Sequence, residues 1–209
     1  MKITLIYISV LNNRGFDEYA KRFLVTYALF RPTIQHELII RDGAAAWDIG
    51  TFQQVVPELD CDLAVCLGSA AYFHHQNWLE PFVAVFQTYG PGLYGPQASY
   101  ENRPHIRTAA FAVAPRIMCD YPVKVHAPDE RWEFEWGERN ITAWTLSRGC
   151  PVFMVTKDGC REQTQWRNPD NIFRRGDQSN CLIKDRHNDI YQMATPAEKA
   201  RLEKLADAV

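Results

Sequence analysis

A short apolar run that ends in four small residues constrains the fold of this chain more than any other feature. The run Leu63–Leu67, LAVCL, shows no alternation of polar and apolar residues. It therefore predicts a strand covered on both faces, as in a parallel sheet. Gly68–Ala71 follows directly, and its small residues leave room for a ligand at the carboxyl edge of the sheet, where open α/β sheets usually bind ligands. A tight turn into a helix over Trp78–Tyr89, with small residues for packing, is the alternative interpretation.

The first forty residues strengthen the prediction of a parallel sheet. Ile3–Val10 is rich in β-branched residues and predicts a buried first strand. Apolar residues then recur at helical spacing from Phe16 to Ala28, and Glu37–Arg41 predicts a second strand. Strand, helix and strand at this spacing form a βαβ unit, whose strands pair in parallel. Asp42 ends the second strand, where a carboxylate commonly meets a nucleoside, although a plain Asp-Gly turn explains it equally simply.

The remainder of the chain continues the alternation of strands and helices. Further strands are predicted at Ala109–Ala114, Pro151–Thr156 and Cys181–Ile183, and further helices begin near Asp48, Asn140 and Thr195. Asp120–Trp136 is polar and aromatic and contains two prolines, so we expect a surface excursion there. No repeat, low-complexity segment or long linker divides the chain, and we expect a single domain over residues 1–209.

Composition and missing motifs exclude several classes of function. The net charge of −2 argues against a general nucleic-acid binder, which carries a basic excess. The six cysteines form no CxxC pair, which disfavours a structural zinc site and suggests a reduced, cytoplasmic protein. The N-terminal apolar run is too short for a transmembrane segment and lacks a cleavage site. The chain also lacks the GxGxxG, GxxxxGK[ST] and GxSxG motifs, which disfavours dinucleotide redox chemistry, P-loop phosphoryl transfer and an α/β-hydrolase.

Several segments, taken in order, resemble the GT-A class of nucleotide-sugar glycosyltransferases, especially small family-two-like members from bacteria and viruses. They are the opening strand and the helix over Asp17–Phe30, then LIIRDGA, WDIGTF, DLAVCLGSAAYF with NWLEPFV, YGPGLYG, PHIRTAAFAV and FEWGERNITAWTLSRGCPVFMV. The resemblance covers most of the chain. It implies a Rossmann-like GT-A fold of class α/β, with a mixed, mostly parallel sheet flanked by helices. It also implies that residues 1 to about 90 bind the nucleotide and that about 91–209 hold the acceptor and catalytic parts.

The same resemblance implies a function and a set of site residues. The function is transfer of a sugar from a nucleotide-diphosphate sugar, with UDP as the expected nucleotide, to a glycan or other hydroxyl acceptor. The donor would be bound by Ser9, Val10, Asn12, Asp42, Gly68, Ser69, Ala70, Arg174, Arg175 and Gln178. His105 and Arg107 would lie on the acceptor side. Glu135 would be the general base that takes the acceptor proton, with Glu138 as the alternative, and attack of this kind inverts the anomeric configuration.

The metal is where the chain departs from the family pattern. Gly68–Ala71 stands where these enzymes carry the DxD carboxylates that help hold Mn²⁺ or Mg²⁺ on the donor diphosphate. Ser69 supplies one hydroxyl there, and His187 in the C-terminal run is the other candidate ligand. We therefore expect metal binding to be weak or absent, or to depend on other residues, with arginines neutralising the phosphates.

Two alternatives to an active glycosyltransferase stay open. A catalytically silent GT-A-like module that binds nucleotide or glycan is favoured by the missing carboxylates. A nucleotidyltransferase would need a glycine-rich, basic first loop, of which residues 11–16 hold only Arg14 and Gly15. The sequence does not predict the sugar, the acceptor or the oligomeric state.

Overall fold

The computed structural model is a mixed α/β, Rossmann-like fold, described over residues 1–10, 14–43, 47–127, 130–167 and 173–207. Its strands are β1 (Ile3–Ser9), β2 (Glu37–Asp42), β3 (Leu63–Leu67), β4 (Tyr72–Phe73), β5 (Leu93–Gly95), β6 (Ala98–Ser99), β7 (His105–Ile106), β8 (Ala110–Val113), β9 (Val152–Thr156), β10 (Gly159–Arg161) and β11 (Ile183–Lys184). Its helices are α1 (Arg14–Leu29), α2 (Trp47–Val55), α3 (Glu80–Tyr89), α4 (Pro115–Asp120), α5 (Glu130–Trp136), α6 (Ile141–Ser147), α7 (Arg186–Met193) and α8 (Pro196–Asp207).

One seven-stranded sheet, in the order β10-β9-β5-β8-β3-β1-β2, runs through the fold. Strands β1, β2, β3, β5 and β9 point the same way, and β8 and β10 are antiparallel to their neighbours. The predicted mostly parallel sheet is confirmed. The register pairs Tyr7 with Leu67 and Ser9 with Asp42, so β1, β2 and β3 end close together at one edge.

The core lies on both faces of the sheet because neighbouring residues of a strand point to opposite faces. In β1, Leu5 and Tyr7 pack into one apolar cluster, while Ile6 and Ile8 pack into the other. Helices α1 and α3 cover the first face, and α2, α4, α5 and α6 cover the second. All five residues of Leu63–Leu67 are buried, as the unbroken apolar run predicts.

The expected surface excursion over Asp120–Trp136 is wrong for its last seven residues, which form helix α5. The helix is held to the core by Phe134, which is fully buried and lies edge-on to Tyr121 with 5.0 Å between ring centroids. Glu130 accepts hydrogen bonds from the amides of His126 and Ala127 just before the helix. One buried aromatic in a short polar helix is too weak a periodic signal to recognise in the sequence.

Within the described ranges, none of the helices combines the length and the apolar character that a membrane span requires.

Candidate functional site: a cleft with two halves

A cleft of about 780 Å³ opens at the edge where β1, β2 and β3 end. Val10, Gly43 and Gly68–Ala71, which follow these three strands, form one wall. The other walls come from α1, α2, α5, α7 and residues 101–109. This is the edge at which open α/β sheets bind ligands, and the volume suits a ligand of the size of a nucleotide.

We call the part of the cleft around Gly68–Ala71, Asp48, Arg131 and Arg186 the shelf half. Asp48 Oδ2 accepts a hydrogen bond from the Ser69 amide at 3.2 Å. Burial raises the pKa of the Asp48 carboxyl, while the Ser69 amide, Arg131 and Arg186 oppose that rise. Neither Arg131 nor Arg186 forms an ion pair within 4.0 Å with any residue of the described ranges. Both guanidinium groups thus act on Asp48 without forming a direct ion pair in the described structure.

Gly68 has a steric reason to be glycine. A Cβ at this position would lie 2.7 Å from Asp48 Oδ2 and 2.9 Å from the carbonyl oxygen of Ala109. Both distances are shorter than carbon and oxygen atoms normally approach. The missing side chain is what lets the Asp48 carboxylate and the start of β8 approach the end of β3.

We call the part around His105, Arg107, Glu135 and Asp185 the Arg107 half. Arg107 Nε lies 3.6 Å from Glu135 Oε1, and Arg107 Nη2 lies 3.5 Å from Asp185 Oδ2. His105 Nε2 lies 4.0 Å from the same Glu135 oxygen, which also accepts a hydrogen bond from the Thr108 amide at 3.1 Å. The three contacts of Glu135 all use Oε1, and none of them uses Oε2.

The titratable groups of the Arg107 half have shifted pKa values. Burial acts to raise the pKa of Glu135, but the charge of Arg107, with His105 and the Thr108 amide, lowers it below its usual value. Glu135 is therefore ionised at neutral pH. Burial lowers the pKa of His105, and burial together with Arg107 lowers the pKa of His187 to about 4. Both histidines are consequently neutral at neutral pH.

The Arg107 half also contains an ion pair between Arg174 and Glu101. Arg174 Nη1 lies 2.8 Å from Glu101 Oε2. The guanidinium groups of Arg107 and Arg174 lie 3.9 Å and 4.5 Å from the centroid of the Phe173 ring. This half thus holds two guanidinium groups and three carboxylates, whereas the shelf half holds two guanidinium groups and one carboxylate.

Backbone strain is concentrated at the cleft. Trp47, Asn102 and Arg174 all line it, and they are three of the five described non-glycine residues with a positive φ. Trp47, at φ 56, is a bulky residue in a region that such residues rarely adopt. Strain of this kind persists where the surrounding structure enforces it, often at functional sites.

The structure brings most of the predicted site residues into this cleft. The residues that line it are Val10, Gly68, Ser69, Ala70, His105, Arg107, Glu135, Arg174 and His187.

The other predicted site residues are not among its lining. Ser9 is buried at the end of β1, Asp42 is exposed at the end of β2, and Glu138 is exposed beyond α5. Arg175 forms an ion pair with Asp207. Gln178 is buried, and its Oε1 accepts a hydrogen bond from Asn188 Nδ2. Asn12 lies outside the described residues.

The predicted site residues do not include Asp48, Arg131, Asp185 and Arg186, which also line the cleft. Asp48 is explained in the sequence as the cap of a helix, and indeed it lies in the first turn of α2. Asp185 is the N-cap of α7. Strand β11, which ends just before it, pairs with β4 through Lys184 and Tyr72, and this pairing brings Asp185 towards the shelf. The sequence signal that could have identified Asp48 is its position, since it is an acidic residue in the first turn of a helix that follows a strand of a βαβ unit.

The described side chains at the shelf do not form a site for a divalent metal ion. In the described part of the chain, no group of three or more His, Cys, Asp and Glu side chains is arranged to hold a metal ion. The Asp48 carboxylate accepts a hydrogen bond from the Ser69 amide, and the positive charges of Arg131 and Arg186 act on it. The positive charges of Arg107 and Arg174 also act on His187. The donor set at the shelf therefore does not fit Mn²⁺ or Mg²⁺, which take several oxygen ligands.

Comparison with known proteins identified no family. No protein-family model and no curated protein matches the chain. Among solved structures, HddC from Yersinia pseudotuberculosis, complexed with GMP-PN, matches with 9% identity over 58% of this chain and 80% of that chain, at a TM-score of 0.33. A protein from Bacillus anthracis described as a glucose-1-phosphate thymidylyltransferase, in complex with a sucrose, matches with 15% identity over 94% of this chain and 79% of that chain, at a TM-score of 0.42. At TM-scores this low, neither likeness assigns an activity to the chain.

Proposed function

We propose that the chain is a glycosyltransferase that binds a nucleotide-diphosphate sugar, UDP-linked, in the cleft and transfers the sugar to a hydroxyl of a glycan or other acceptor. The observation that carries this proposal is the division of charge within one cleft. Arg131 and Arg186, which have no ion-pair partner among the described residues, stand beside the shelf, and an ionised, largely buried carboxylate stands in the other half. A nucleotide sugar has the matching division, with an anionic diphosphate joined to a neutral polyol.

The shelf half suits the diphosphate. Arg131 and Arg186 offer planar forks of N–H donors that match phosphate oxygens and require no metal. Gly68 and Ser69 line the cleft at the end of β3, the edge at which open α/β sheets bind ligands. Phe16, Tyr19 and Trp47 line the same cleft and offer aromatic faces for the base.

The Arg107 half suits the chemistry of sugar transfer. The acceptor hydroxyl oxygen attacks the anomeric carbon, the bond from that carbon to the diphosphate breaks, and the acceptor proton goes to Glu135. The low pKa keeps Glu135 charged but also makes it a weak base. It therefore takes the proton as the new bond forms, when the hydroxyl has become acidic. The displacement occurs on the opposite face of the sugar and inverts the anomeric centre.

A pair of tryptophans on the helix of Glu135 suits a sugar acceptor. Trp132 and Trp136 stack with 5.6 Å between ring centroids and 24° between ring planes. Both line the cleft, and Trp132 is 49% exposed. An aromatic face of this kind binds the apolar face of a pyranose ring, so an acceptor glycan would lie over α5, with His105 and Arg107 on the side towards the reaction.

A specific observation favours a second candidate, the catalytically silent module that binds nucleotide or glycan. Glu135 is engaged by Arg107, His105 and the Thr108 amide, contacts that also suit a purely structural carboxylate. Such a module would keep the arginines of the shelf half and bind nucleotide without turnover.

The experiment is a donor panel. The protein is incubated with UDP-, GDP- and dTDP-linked sugars with and without Mn²⁺, and the released nucleotide and the heat of nucleotide binding are both measured. We expect slow hydrolysis of one UDP-linked donor, with no requirement for Mn²⁺. Nucleotide binding without turnover of any donor supports the silent module, and the absence of both rejects the cleft as a nucleotide site.

A further inference from the structure

We propose that Asp185 and Arg107 together recognise one hydroxyl group of a sugar ring in the Arg107 half of the cleft. The inference rests on the proposed function. Asp185 is only 4% exposed. Its Oδ1 accepts hydrogen bonds from the amides of His187 at 2.7 Å and Asn188 at 3.3 Å, and so caps α7. Its Oδ2 is buried and has no hydrogen-bond partner among the described residues.

Arg107 also has a buried polar atom without a hydrogen-bond partner in the described structure. Its Nε is buried and lacks a hydrogen-bond partner within the described ranges, since Glu135 Oε1 lies 3.6 Å away. Its Nη2 lies 3.5 Å from Asp185 Oδ2, which is also long for a charged hydrogen bond. The guanidinium is held in place by the Phe173 ring, 3.9 Å from the ring centroid. Native proteins rarely bury polar atoms without partners, so two such atoms in one cleft indicate that a group from outside the chain supplies the missing bonds.

The two atoms together specify the chemistry of that ligand group. Asp185 Oδ2 needs a donor and Arg107 Nε needs an acceptor, and a hydroxyl is both at once. A phosphate only accepts and is repelled by Asp185, while an ammonium only donates and is repelled by Arg107. A water molecule also meets both requirements, and a sugar hydroxyl displaces it with little loss because it reproduces the same bonds.

The hydroxyl has two sources, the donor sugar and the acceptor sugar. The diphosphate is disfavoured here because the Arg107 half has one more carboxylate than guanidinium groups. Both sugars come close to Glu135 in the proposed reaction, and both are polyols. A hydroxyl of either sugar would therefore make the same contact. The two cases are distinguished by which ligand loses affinity when Asp185 is changed.

Asp185→Asn is the test variant. Asparagine caps a helix as well as aspartate does, so α7 keeps its cap, while the acceptor Oδ2 becomes a donor amide. Asp189→Asn is the matched control, because Asp189 lies on the same helix and pairs with Arg22 at 2.6 Å but does not line the cleft. Calorimetry is performed with UDP, UDP-glucose, UDP-galactose and UDP-N-acetylglucosamine, and with the methyl glycosides of these sugars in the presence of UDP.

We expect Asp185→Asn to leave UDP affinity unchanged and to weaken the sugar-bearing ligand roughly 10- to 100-fold, as the loss of a hydrogen bond to a charged group does. Loss confined to a nucleotide sugar assigns the contact to the donor, and loss confined to a methyl glycoside assigns it to the acceptor. Deoxy analogues provide a second measurement. The analogue that lacks the recognised hydroxyl should bind the unaltered protein weakly and show no further loss with Asp185→Asn.

Two results overturn the inference alone. One is UDP binding to which no sugar adds affinity. The other is Asp185→Asn binding every ligand as the unaltered protein does. Glycoside binding that is lost in Asp185→Asn, without any nucleotide binding, rejects the proposed function but keeps the inference. The absence of nucleotide and glycoside binding rejects both.

Discussion

In the shelf half of the cleft, Arg131 and Arg186 have no carboxylate within ion-pair distance in the described structure, whereas in the Arg107 half Arg107 has two and Arg174 has one. The pairs around Arg107 are long, at 3.5 Å and 3.6 Å, and leave buried polar atoms without hydrogen bonds. Two guanidinium groups that share a single carboxylate attract a further anion. A compensated but loose ion cluster instead accepts a neutral group that donates and accepts hydrogen bonds. This difference supports the proposal that one cleft binds the two chemically different ends of a nucleotide sugar.

The largest expected effect separates chemistry from binding. Glu135→Gln should lower turnover roughly 10²- to 10⁴-fold, because the amide cannot take the acceptor proton. UDP affinity should be spared, because Glu135 lies in the Arg107 half. Initial rates of donor hydrolysis and calorimetry with UDP measure the two quantities.

Glu138→Gln decides between the two carboxylates that the sequence offers as base. Glu138 is exposed and does not line the cleft, so its variant should retain turnover. Full activity in Glu135→Gln together with inactivity in Glu138→Gln would show that the base is assigned to the wrong residue.

The next effect concerns nucleotide affinity. Replacing both Arg131 and Arg186 by Gln should weaken UDP binding roughly 10- to 100-fold, since two charge-assisted contacts to phosphate are lost. Equilibrium binding at two salt concentrations checks this, and the salt dependence should also decrease.

Arg148 and Arg175 provide the comparison for that double variant. Arg148→Gln is the control, because Arg148 lies against Trp144 outside the cleft. Arg175→Gln tests the sequence prediction, since the structure pairs Arg175 with Asp207 instead. A loss of UDP affinity in Arg175→Gln equal to that of the double variant would contradict the assignment of the diphosphate to the shelf half.

A smaller effect is expected on stability at the shelf. Gly68→Ala should lower the free energy of unfolding by about 1–3 kcal/mol, because the new Cβ meets Asp48 and the backbone of Ala109. Thermal and urea unfolding measure the change. Ser69→Ala is the matched control, because it removes a hydroxyl but keeps the amide that bonds Asp48. Equal stability of Gly68→Ala and the unaltered protein would show that the shelf is not tightly packed.

A further effect on stability is its pH dependence. Burial lowers the pKa of His74 to about 3 and of His187 to about 4, from an ordinary value of 6.5. Between pH 6.5 and these values the unfolded chain binds more protons than the folded chain, so stability should fall as the pH falls through this range. Urea unfolding from pH 7 to pH 4 measures the slope.

His74→Gln should reduce that slope without changing UDP affinity, because His74 lies outside the cleft. A slope unchanged by this substitution would mean that His74 titrates normally in the folded protein.

Much of the architecture could be predicted from local pattern. The unbroken apolar run Leu63–Leu67 and the βαβ spacing of the first forty residues correctly indicated buried, parallel strands. Helix α5 could not be predicted, because a seven-residue helix with one buried aromatic has almost no periodicity. The small residues Gly68–Ala71 correctly indicated where the cleft lies, although their role in binding stays a prediction.

The sequence by itself determined the alternation of strands and helices and the sheet edge at which a cleft would open, because both follow from hydrophobic period and chain direction over short stretches. Only the tertiary structure decided which charges share that cleft. Asp48 meets the Ser69 amide across 21 residues, and Arg107 meets Asp185 through the pairing of β4 with β11. These contacts depend on the pairing of strands that are far apart in the sequence and on the balance between the burial of charged side chains and the charges around them. No local pattern of residues contains either kind of information.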